Sequence, residues 1–99
     1  MKCLKSTIRL IKAYQIKVTG LVQGVGFRFY TKQEAEKLGV FGDVRNQEDG
    51  TVLINVVGEK DKITSFLKWC HVGPDSSRVD RLDYNEVELF MADGFLIVR

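Results

Sequence analysis

The order of two sequence patterns limits the folds open to this chain more than anything else in it. Five segments alternate apolar and polar residues as β-strands do, and two segments with helical spacing lie between them. Side chains of a strand point to opposite faces in turn, so a strand with one buried face alternates apolar and polar residues. This pattern is found at residues 14–19, 40–46 and 51–57, and more weakly at Leu82 with Tyr84 and at Phe95 with Ile97. The sequence QEDG, between the second and third segments, favours a hairpin turn.

The two segments with helical spacing are apolar at every third or fourth position. The first covers residues 27–38 and is followed by Gly39, the residue type that most often ends a helix. The second covers residues 63–70 and is stopped by the pair Gly73 and Pro74. We therefore predict two amphipathic helices.

The predicted order of strand, helix, strand, strand, helix and strand is that of a ferredoxin-like sandwich. We expect an α+β fold (β-α-β-β-α-β) in which an antiparallel sheet of four to five strands carries two helices on one face. The 99 residues suffice for one small domain with a single core.

Positive charge is concentrated at the start of the chain. Residues 1–13 contain four basic residues and no acid, which leaves 11 basic and 13 acidic side chains in residues 14–99. We therefore predict a basic N-terminal extension, residues 1–13, and a domain, residues 14–99, without general attraction for nucleic acid. On a helix the four basic residues would share one side, as in a membrane-surface or targeting segment, but they also fit a frayed, solvated terminus. They are Lys2, Lys5, Arg9 and Lys12.

The cysteines and the apolar runs bear on the compartment. No apolar run approaches the roughly 20 residues that cross a bilayer, so we expect no transmembrane segment. Cys3 and Cys70 lie far apart and outside any CxxC pair. Because free thiols are the rule in a reducing compartment, a cytoplasmic protein is expected.

A glycine-rich loop, GLVQGVGFR over residues 20–28, follows a predicted strand and opens a predicted helix. The first backbone N–H groups of a helix have no intrahelical partner, and together with the helix dipole they attract anions. Gly24 and Gly26 allow the N–H groups to curl inward, and Arg28 can offer two parallel donors to phosphate oxygens. The pattern indicates an anion site, although a glycine-rich turn with a surface arginine has the same spacing.

Two other kinds of glycine loop do not fit this segment. It has no Lys followed by Ser or Thr, as a nucleotide P-loop requires, and it lacks the third glycine of the dinucleotide-binding fingerprint. A magnesium-dependent phosphotransferase is therefore not expected.

Two longer motifs resemble the signatures of the acylphosphatase family. Residues 18–28, VTGLVQGVGFR, match the first signature in full. Residues 42–58, GDVRNQEDGTVLINVVG, match the second at every fixed point except Asp43, where the family usually has an aromatic residue. The resemblance extends from about Tyr14 to Arg99.

This resemblance implies hydrolysis of a carboxyl phosphate to a carboxylate and inorganic phosphate, without metal, cofactor or covalent intermediate. In the family, the arginine matching Arg28 holds the phosphoryl group together with the loop amides, and the asparagine matching Asn46 orients the attacking water. These two are the implied catalytic residues. A small-molecule acyl phosphate is then the substrate, inorganic phosphate is product and competitive inhibitor, and a monomer is expected. The implied phosphate-binding residues are Gln23, Gly24, Val25, Gly26, Phe27 and Arg28.

Asp43 is the departure from the family pattern. Residues three apart in a regular strand point to opposite faces, so the Asp43 carboxylate should lie away from the face that carries Asn46. Arg45, two positions on, is its expected partner. A bulge in the strand would break this alternation of faces. In either case the negative charge of the Asp43 carboxylate could weaken anion binding.

Other residues carry weaker hypotheses. Cys70 and His71 are adjacent on a helix, so their side chains diverge by about 100 degrees, and we do not expect them to act together as nucleophile and base. The single histidine and the two distant cysteines are also too few and too scattered to form a zinc site. Trp69 either packs over a helix edge or serves a binding surface. The alternative to an enzyme is a non-catalytic phosphate-binding or anion-binding module of ferredoxin-like fold. The strands carry no aromatic RNP motif, which argues against an RNA-binding sheet.

Overall fold

The computed structural model of the chain describes residues 10–99. Within this range five strands and two helices follow one another, and the predicted elements are all present. No helix of this range is long and apolar enough to cross a membrane. The bounds are β1 Ile11–Leu21, α1 Phe27–Leu38, β2 Phe41–Asn46, β3 Val52–Glu59, α2 Lys60–Val72, β4 Arg78–Val87 and β5 Phe95–Val98.

The first strand begins at Ile11, so residues 11–13 of the predicted extension are already part of the sheet. The rest of that prediction concerns Lys2, Lys5 and Arg9, which lie outside the described residues together with Cys3. The division of the chain after residue 13 therefore stays a prediction.

The strands form one sheet in the order β4-β1-β3-β2-β5. The predicted antiparallel pairing holds for β1 with β3, β1 with β4, and β2 with β3. It does not extend to β5, which lies parallel to β2. The reason is a reversal of the chain: β4 runs opposite to β1 and β2, residues 88–94 turn the chain back, and β5 therefore takes the direction of β2.

Strand register brings one row of large apolar side chains together on a single face of the sheet. Ile16 of β1 lies opposite Ile54 of β3, which in turn lies opposite Val44 of β2. All three are fully buried, and they share one core with Phe27 of α1 and Phe66 of α2. Both helices therefore pack on this face, as predicted.

The next row along the same face ends in a polar residue. Val18 of β1 lies opposite Val52 of β3, and Val52 lies opposite Asn46 of β2. Asn46 is therefore on the helix-bearing face, at the end of β2, next to the part of the sheet from which the loop before α1 emerges. This register positions the candidate site.

Glycines end both helices where the sequence predicted. Gly39 adopts a left-handed conformation, with φ of 80 degrees, and its N–H group donates to the carbonyl of Ala35. Gly73 ends α2 and donates its N–H to the carbonyl of Trp69 at 2.8 Å. These bonds satisfy carbonyl groups that the last turn of a helix leaves free.

Candidate active site

The loop between β1 and α1 has a conformation that favours glycine. Gly24 and Gly26 have φ angles of 75 and 79 degrees, in the left-handed region that other residues rarely adopt. Gly26 is the N-cap of α1, no side chain of residues 10–99 caps this helix, and its first turn contains no acidic residue. The first N–H groups of α1 are therefore left for an anion, and no carboxylate of the helix competes for them.

A bond from outside the loop fixes its curvature. The hydroxyl of Ser76, in the segment between α2 and β4, donates to the carbonyl of Val25 at 2.7 Å. A trans peptide carries its C=O and N–H on opposite sides, so this bond directs the N–H of Gly26 away from Ser76. No sequence pattern predicts this contact, because Ser76 lies 51 positions from Val25.

Arg28 occupies the second position of α1 and is partly buried. One guanidinium nitrogen, Nη1, donates to the carbonyl of Val98 in β5 at 3.4 Å. Among residues 10–99, no carboxylate forms an ion pair with it. Most of the five guanidinium donors are therefore available to an anionic ligand.

Asn46 presents an acceptor that has no hydrogen-bond partner among residues 10–99. Its side-chain oxygen Oδ1 is buried and accepts no hydrogen bond from the described residues. A buried acceptor that stays unpaired is costly, and such groups in folded proteins usually have a function or a bound water. The side chain is thus suited to receive a hydrogen bond from a small donor.

The side chain of Gln23 joins the loop to the β2–β3 hairpin. Its Nε2 group donates to the carbonyl of Gln47 at 2.7 Å and to that of Thr51 at 2.9 Å. Gln47 directly follows Asn46 in the chain. The Gln23 side chain therefore sets the distance between the loop and Asn46, and only its backbone N–H group is left for an anion.

The hairpin turn behind Asn46 is itself ordered by hydrogen bonds. Asp49 accepts from the hydroxyl of Thr51 at 2.6 Å and from its backbone N–H at 3.0 Å. These two bonds, the hydroxyl bond first, lower the pKa of Asp49, and Lys17 at 3.6 Å acts in the same direction. The turn thereby gives the end of β2 a defined position.

These elements enclose a cleft of about 310 Å³. Arg28 and Asn46, which are eighteen positions apart in the sequence, both lie on its wall. Among residues 10–99, two arginines and no acidic residue line it, so the cleft attracts anions. The lining residues are Val22, Gly24, Gly26, Phe27, Arg28, Phe29, Asn46, Ile97 and Arg99.

The structure divides the predicted site residues into two groups. Gly24, Gly26, Phe27, Arg28 and Asn46 line the cleft. The other two predicted phosphate-binding residues, at positions 23 and 25, do not line it and instead hold the loop by the two contacts described above.

Phe29 and Arg99 line the cleft although sequence reasoning did not select them. Phe29 lies off the apolar stripe of its helix, so helical periodicity gives it no role. Arg99 stands outside both signatures and has no spacing relation to them. The glycine-rich loop could have indicated Phe29, since side chains in the first turn of a helix lie beside the loop that precedes it.

Asp43 lies on the opposite face of the sheet from the cleft. It accepts a hydrogen bond from Nδ2 of Asn55 at 3.0 Å, and Nη2 of Arg45 lies 3.7 Å from its carboxylate. The predicted pair with Arg45 is therefore present. β2 and β3 pair in one register past Asp43, without a bulge. The side chains of β2 therefore alternate regularly between the two faces of the sheet, and Asp43 and Asn46 lie on opposite faces.

The remaining candidates do not form a site. Cys70 is fully buried, which raises the pKa of its thiol, and His71 is exposed. Trp69 packs against Phe27 and Phe66, at ring-centre distances of 5.8 and 6.5 Å, so it covers the core. Residues 10–99 contain no group of three or more His, Cys, Asp or Glu side chains that could hold a metal ion.

Comparison with known proteins identifies the family. The sequence model of the family described as Acylphosphatase matches residues 14–97. An acylphosphatase of Aliivibrio fischeri is 52% identical over 77 residues, which cover 78% of this chain and 86% of that protein. Acylphosphatase-2 of Homo sapiens is 46% identical over 81 residues, which cover 81% and 82% of the two chains.

A solved structure agrees with the sequence relatives. The crystal structure of acylphosphatase from Bacillus subtilis superposes with a TM-score of 0.86 at 35% identity, over 91% of this chain and 100% of that one. The family model covers most of the domain, and the relatives align over most of their own length. The chain belongs to the acylphosphatase family.

Proposed function

We propose that this protein hydrolyses acyl phosphates to a carboxylate and inorganic phosphate. The phosphoryl group is held by the guanidinium of Arg28 and by the backbone N–H groups of residues 23–28, and Asn46 orients the attacking water. The family assignment supports the reaction class. The observation that carries the assignment of roles is the single cleft on which Arg28 and Asn46 meet.

The chemistry needs few groups because the leaving group is good. A carboxylic acid has a pKa of about 4, so the carboxylate departs without a general acid. Phosphoryl transfer passes through a loose transition state in which charge lies on the phosphoryl oxygens. A guanidinium and inward N–H groups stabilise this charge without having to rearrange, which is the largest single contribution in many enzymes.

Asn46 serves the incoming water in this proposal. Its Oδ1, which has no donor among residues 10–99, accepts a hydrogen bond from one O–H of the water and orients the water oxygen toward phosphorus. A bond forms between the water oxygen and phosphorus while the bond from phosphorus to the acyl oxygen breaks, and the carboxylate leaves with the electron pair. A phosphoryl oxygen of the substrate takes up the proton of the water, so the products are a carboxylate and dihydrogen phosphate.

Turnover of benzoyl phosphate by the purified protein tests the reaction. We expect hydrolysis at an undiminished rate in the presence of a chelator, and competitive inhibition by inorganic phosphate, because Arg28 and the loop bind product and substrate alike. Activity that a chelator abolishes and magnesium restores would contradict the metal-independent mechanism. Phosphate binding without any turnover would instead indicate the non-catalytic anion-binding module.

We further propose that the protein is a cytoplasmic monomer. Cys70 is a free thiol in the core, as is common in a reducing compartment. The cleft is built from residues of one chain, so the proposed chemistry needs no second copy. Light scattering after size exclusion is expected to give the mass of one chain, and a dimer mass at micromolar concentration would contradict the monomer.

A further inference from the structure

The hydrogen bond between Ser76 and the glycine-rich loop acts on a peptide unit of the anion cleft. The hydroxyl of Ser76 donates to the carbonyl of Val25 at 2.7 Å. This carbonyl and the N–H of Gly26 belong to the same peptide unit, and Gly26 lines the cleft. Because a trans peptide is planar, the position of the carbonyl determines where the N–H points. Ser76 therefore controls the direction of one of the N–H donors of the loop.

Glycine at position 26 gives this peptide unit two accessible orientations. Rotation of the planar unit by about 180 degrees changes ψ of Val25 and φ of Gly26 together. Gly26 has a φ of 79 degrees, and glycine populates positive and negative φ about equally well. In the rotated orientation the carbonyl oxygen of Val25 replaces the N–H of Gly26 at the cleft. Its partial negative charge then opposes the binding of a phosphoryl group.

The start of α1 does not choose between these orientations. The carbonyl of Gly26 accepts from the N–H of Tyr30 at 3.1 Å, but this carbonyl belongs to the next peptide unit. Among the residues that the structure describes, Ser76 alone provides a side-chain hydrogen bond from outside the loop to the backbone of residues 22–26. The Ser76 bond exists in one orientation of the Val25 carbonyl and is lost in the other, so it selects that orientation.

A tight turn holds Ser76 in place. The N–H and the hydroxyl of Ser77 both donate to the carbonyl of Pro74, at 2.9 and 2.8 Å, so Ser76 occupies a central position of the turn. Gly73 precedes the turn and allows it to approach the start of α1, since a Cβ at this position would lie 3.0 Å from the ring of Phe27. The turn thus presents the Ser76 hydroxyl to the loop from a defined position.

We propose that Ser76 is a positioning residue, which keeps the peptide unit of Val25 and Gly26 with its N–H toward the cleft and its carbonyl away from it. This inference rests on the proposed binding of the phosphoryl group by the loop, and it adds the side chain that sets the polarity of the loop. Ser76 is not among the residues that line the cleft, so it acts through the backbone of Gly26.

The kinetic constants of Ser76→Ala test the inference. Without the hydroxyl the protein divides between the two orientations, and the apparent affinity of a ligand falls with the fraction of molecules able to bind it. We expect the inhibition constant of phosphate and KM for benzoyl phosphate to rise by the same factor, about fivefold, the scale of one neutral hydrogen bond. Saturating substrate draws all molecules into the binding orientation, so kcat should stay within about twofold.

Two further variants separate the hydroxyl from other effects of substitution. Ser76→Thr keeps the donor, so both constants should stay within about twofold of the wild-type values. Ser65→Ala is the matched control, because the Ser65 hydroxyl donates to the carbonyl of Asp61 inside α2, at 3.4 Å. We expect it to leave KM, kcat and the inhibition constant of phosphate unchanged.

The amide resonance of Gly26 in NMR spectra reports on the peptide unit without any turnover. In the absence of ligand we expect it to differ between the wild-type protein and Ser76→Ala. At saturating phosphate it should return to the wild-type position, because phosphate binds only one orientation. A serine with a merely structural role would not produce this return on binding.

The remaining outcomes are decisive in different ways. Unchanged KM and inhibition constant in Ser76→Ala would overturn the inference, as would a loss of kcat with an unchanged inhibition constant, which would place the hydroxyl in the reaction itself. A wild-type protein that binds phosphate but does not hydrolyse benzoyl phosphate would overturn the proposed hydrolysis alone. In that case a fivefold weaker binding of phosphate by Ser76→Ala would still support the role of Ser76, and equal binding would refute it.

Discussion

Asp43 and Asn46 project from opposite faces of β2, so the one acidic departure from the family signature lies on the far side of the sheet from the cleft. Asn55 donates to Asp43 on that face, and Asn46 lines the cleft on the other. Strand parity therefore keeps the carboxylate out of the anion site.

The first prediction concerns this separation. Asp43→Asn is expected to change kcat for benzoyl phosphate and the inhibition constant of phosphate by less than about twofold, since the removed charge lies behind the sheet. The unfolding free energy should fall by about 1 kcal/mol or less, because Asp43 and its partners Asn55 and Arg45 are only partly buried and an amide can still accept from Asn55. A tenfold gain in activity would show instead that the Asp43 charge weakens the site.

The second prediction tests the bond between loop and hairpin. Gln23→Ala removes the donor from two backbone carbonyls, so urea unfolding should show a loss of about 1–3 kcal/mol. We also expect kcat to fall about tenfold, because Asn46 loses its fixed distance from the loop. The affinity for phosphate should change less, since Arg28 and the loop N–H groups remain.

Gln15→Ala is the control for this variant. Gln15 also donates through its side chain, to Asn55 at 3.1 Å, but it lies on the helix-free face that carries Asp43. Its removal should leave kcat unchanged. Equal kcat in the wild-type protein and in Gln23→Ala would show that the hairpin keeps its place without this bond.

Sequence reasoning predicted the features that depend on local pattern. The strands and helices could be placed because burial of one face requires apolar residues at every second position of a strand and at every third or fourth position of a helix. The alternation of side chains along β2 is likewise enough to put Asp43 and Asn46 on opposite faces. The hydrogen bonds of Gln23 and Ser76 could not be predicted from the sequence. Each joins two segments that are distant in the sequence through a polar side chain, and no periodic pattern indicates such a contact.

The edges of the sheet were also the least predictable part of the fold. The structure extends β4 over Arg78–Val87, whereas the pattern indicated only the region of Leu82 and Tyr84. An edge strand carries many charged side chains, and these hide its alternation. The parallel pairing of β5 follows from how residues 88–94 reverse the chain, which is a property of the assembled sheet.

The third prediction concerns Cys70. Burial raises the pKa of its thiol, so little thiolate forms, and the side chain is out of reach of reagents. In a Cys3→Ser background, which removes the other thiol, Ellman's reagent should not react with the native protein over an hour at pH 8 and should titrate one thiol in denaturant. Rapid reaction without denaturant would contradict the buried position.

The fourth prediction addresses charge at the site. Arg28→Ala should raise the inhibition constant of phosphate by at least about tenfold, and it should lower kcat by about 100-fold or more, since the same guanidinium serves bound and transition-state oxygens. Arg28→Lys should recover little, because an ammonium group does not reproduce the planar fork.

Arg81→Ala provides the comparison for these variants, because this arginine lies exposed on β4 and pairs with Asp83. Its kinetic constants should match those of the wild-type protein. If Arg28→Lys were as active as the wild-type protein, a point charge would suffice and the two-donor contact would be wrong.

In the proposed mechanism Arg28 acts through charge and Asn46 through the placement of water, and the Asn46→Ala variant separates these two roles. The measurement is kcat for benzoyl phosphate together with the inhibition constant of phosphate, with folding checked by circular dichroism and with the exposed Asn85→Ala as control. We predict that kcat falls by about 100-fold or more while the inhibition constant stays within about threefold. A folded Asn46→Ala variant with wild-type turnover would contradict the water-orienting role of Asn46.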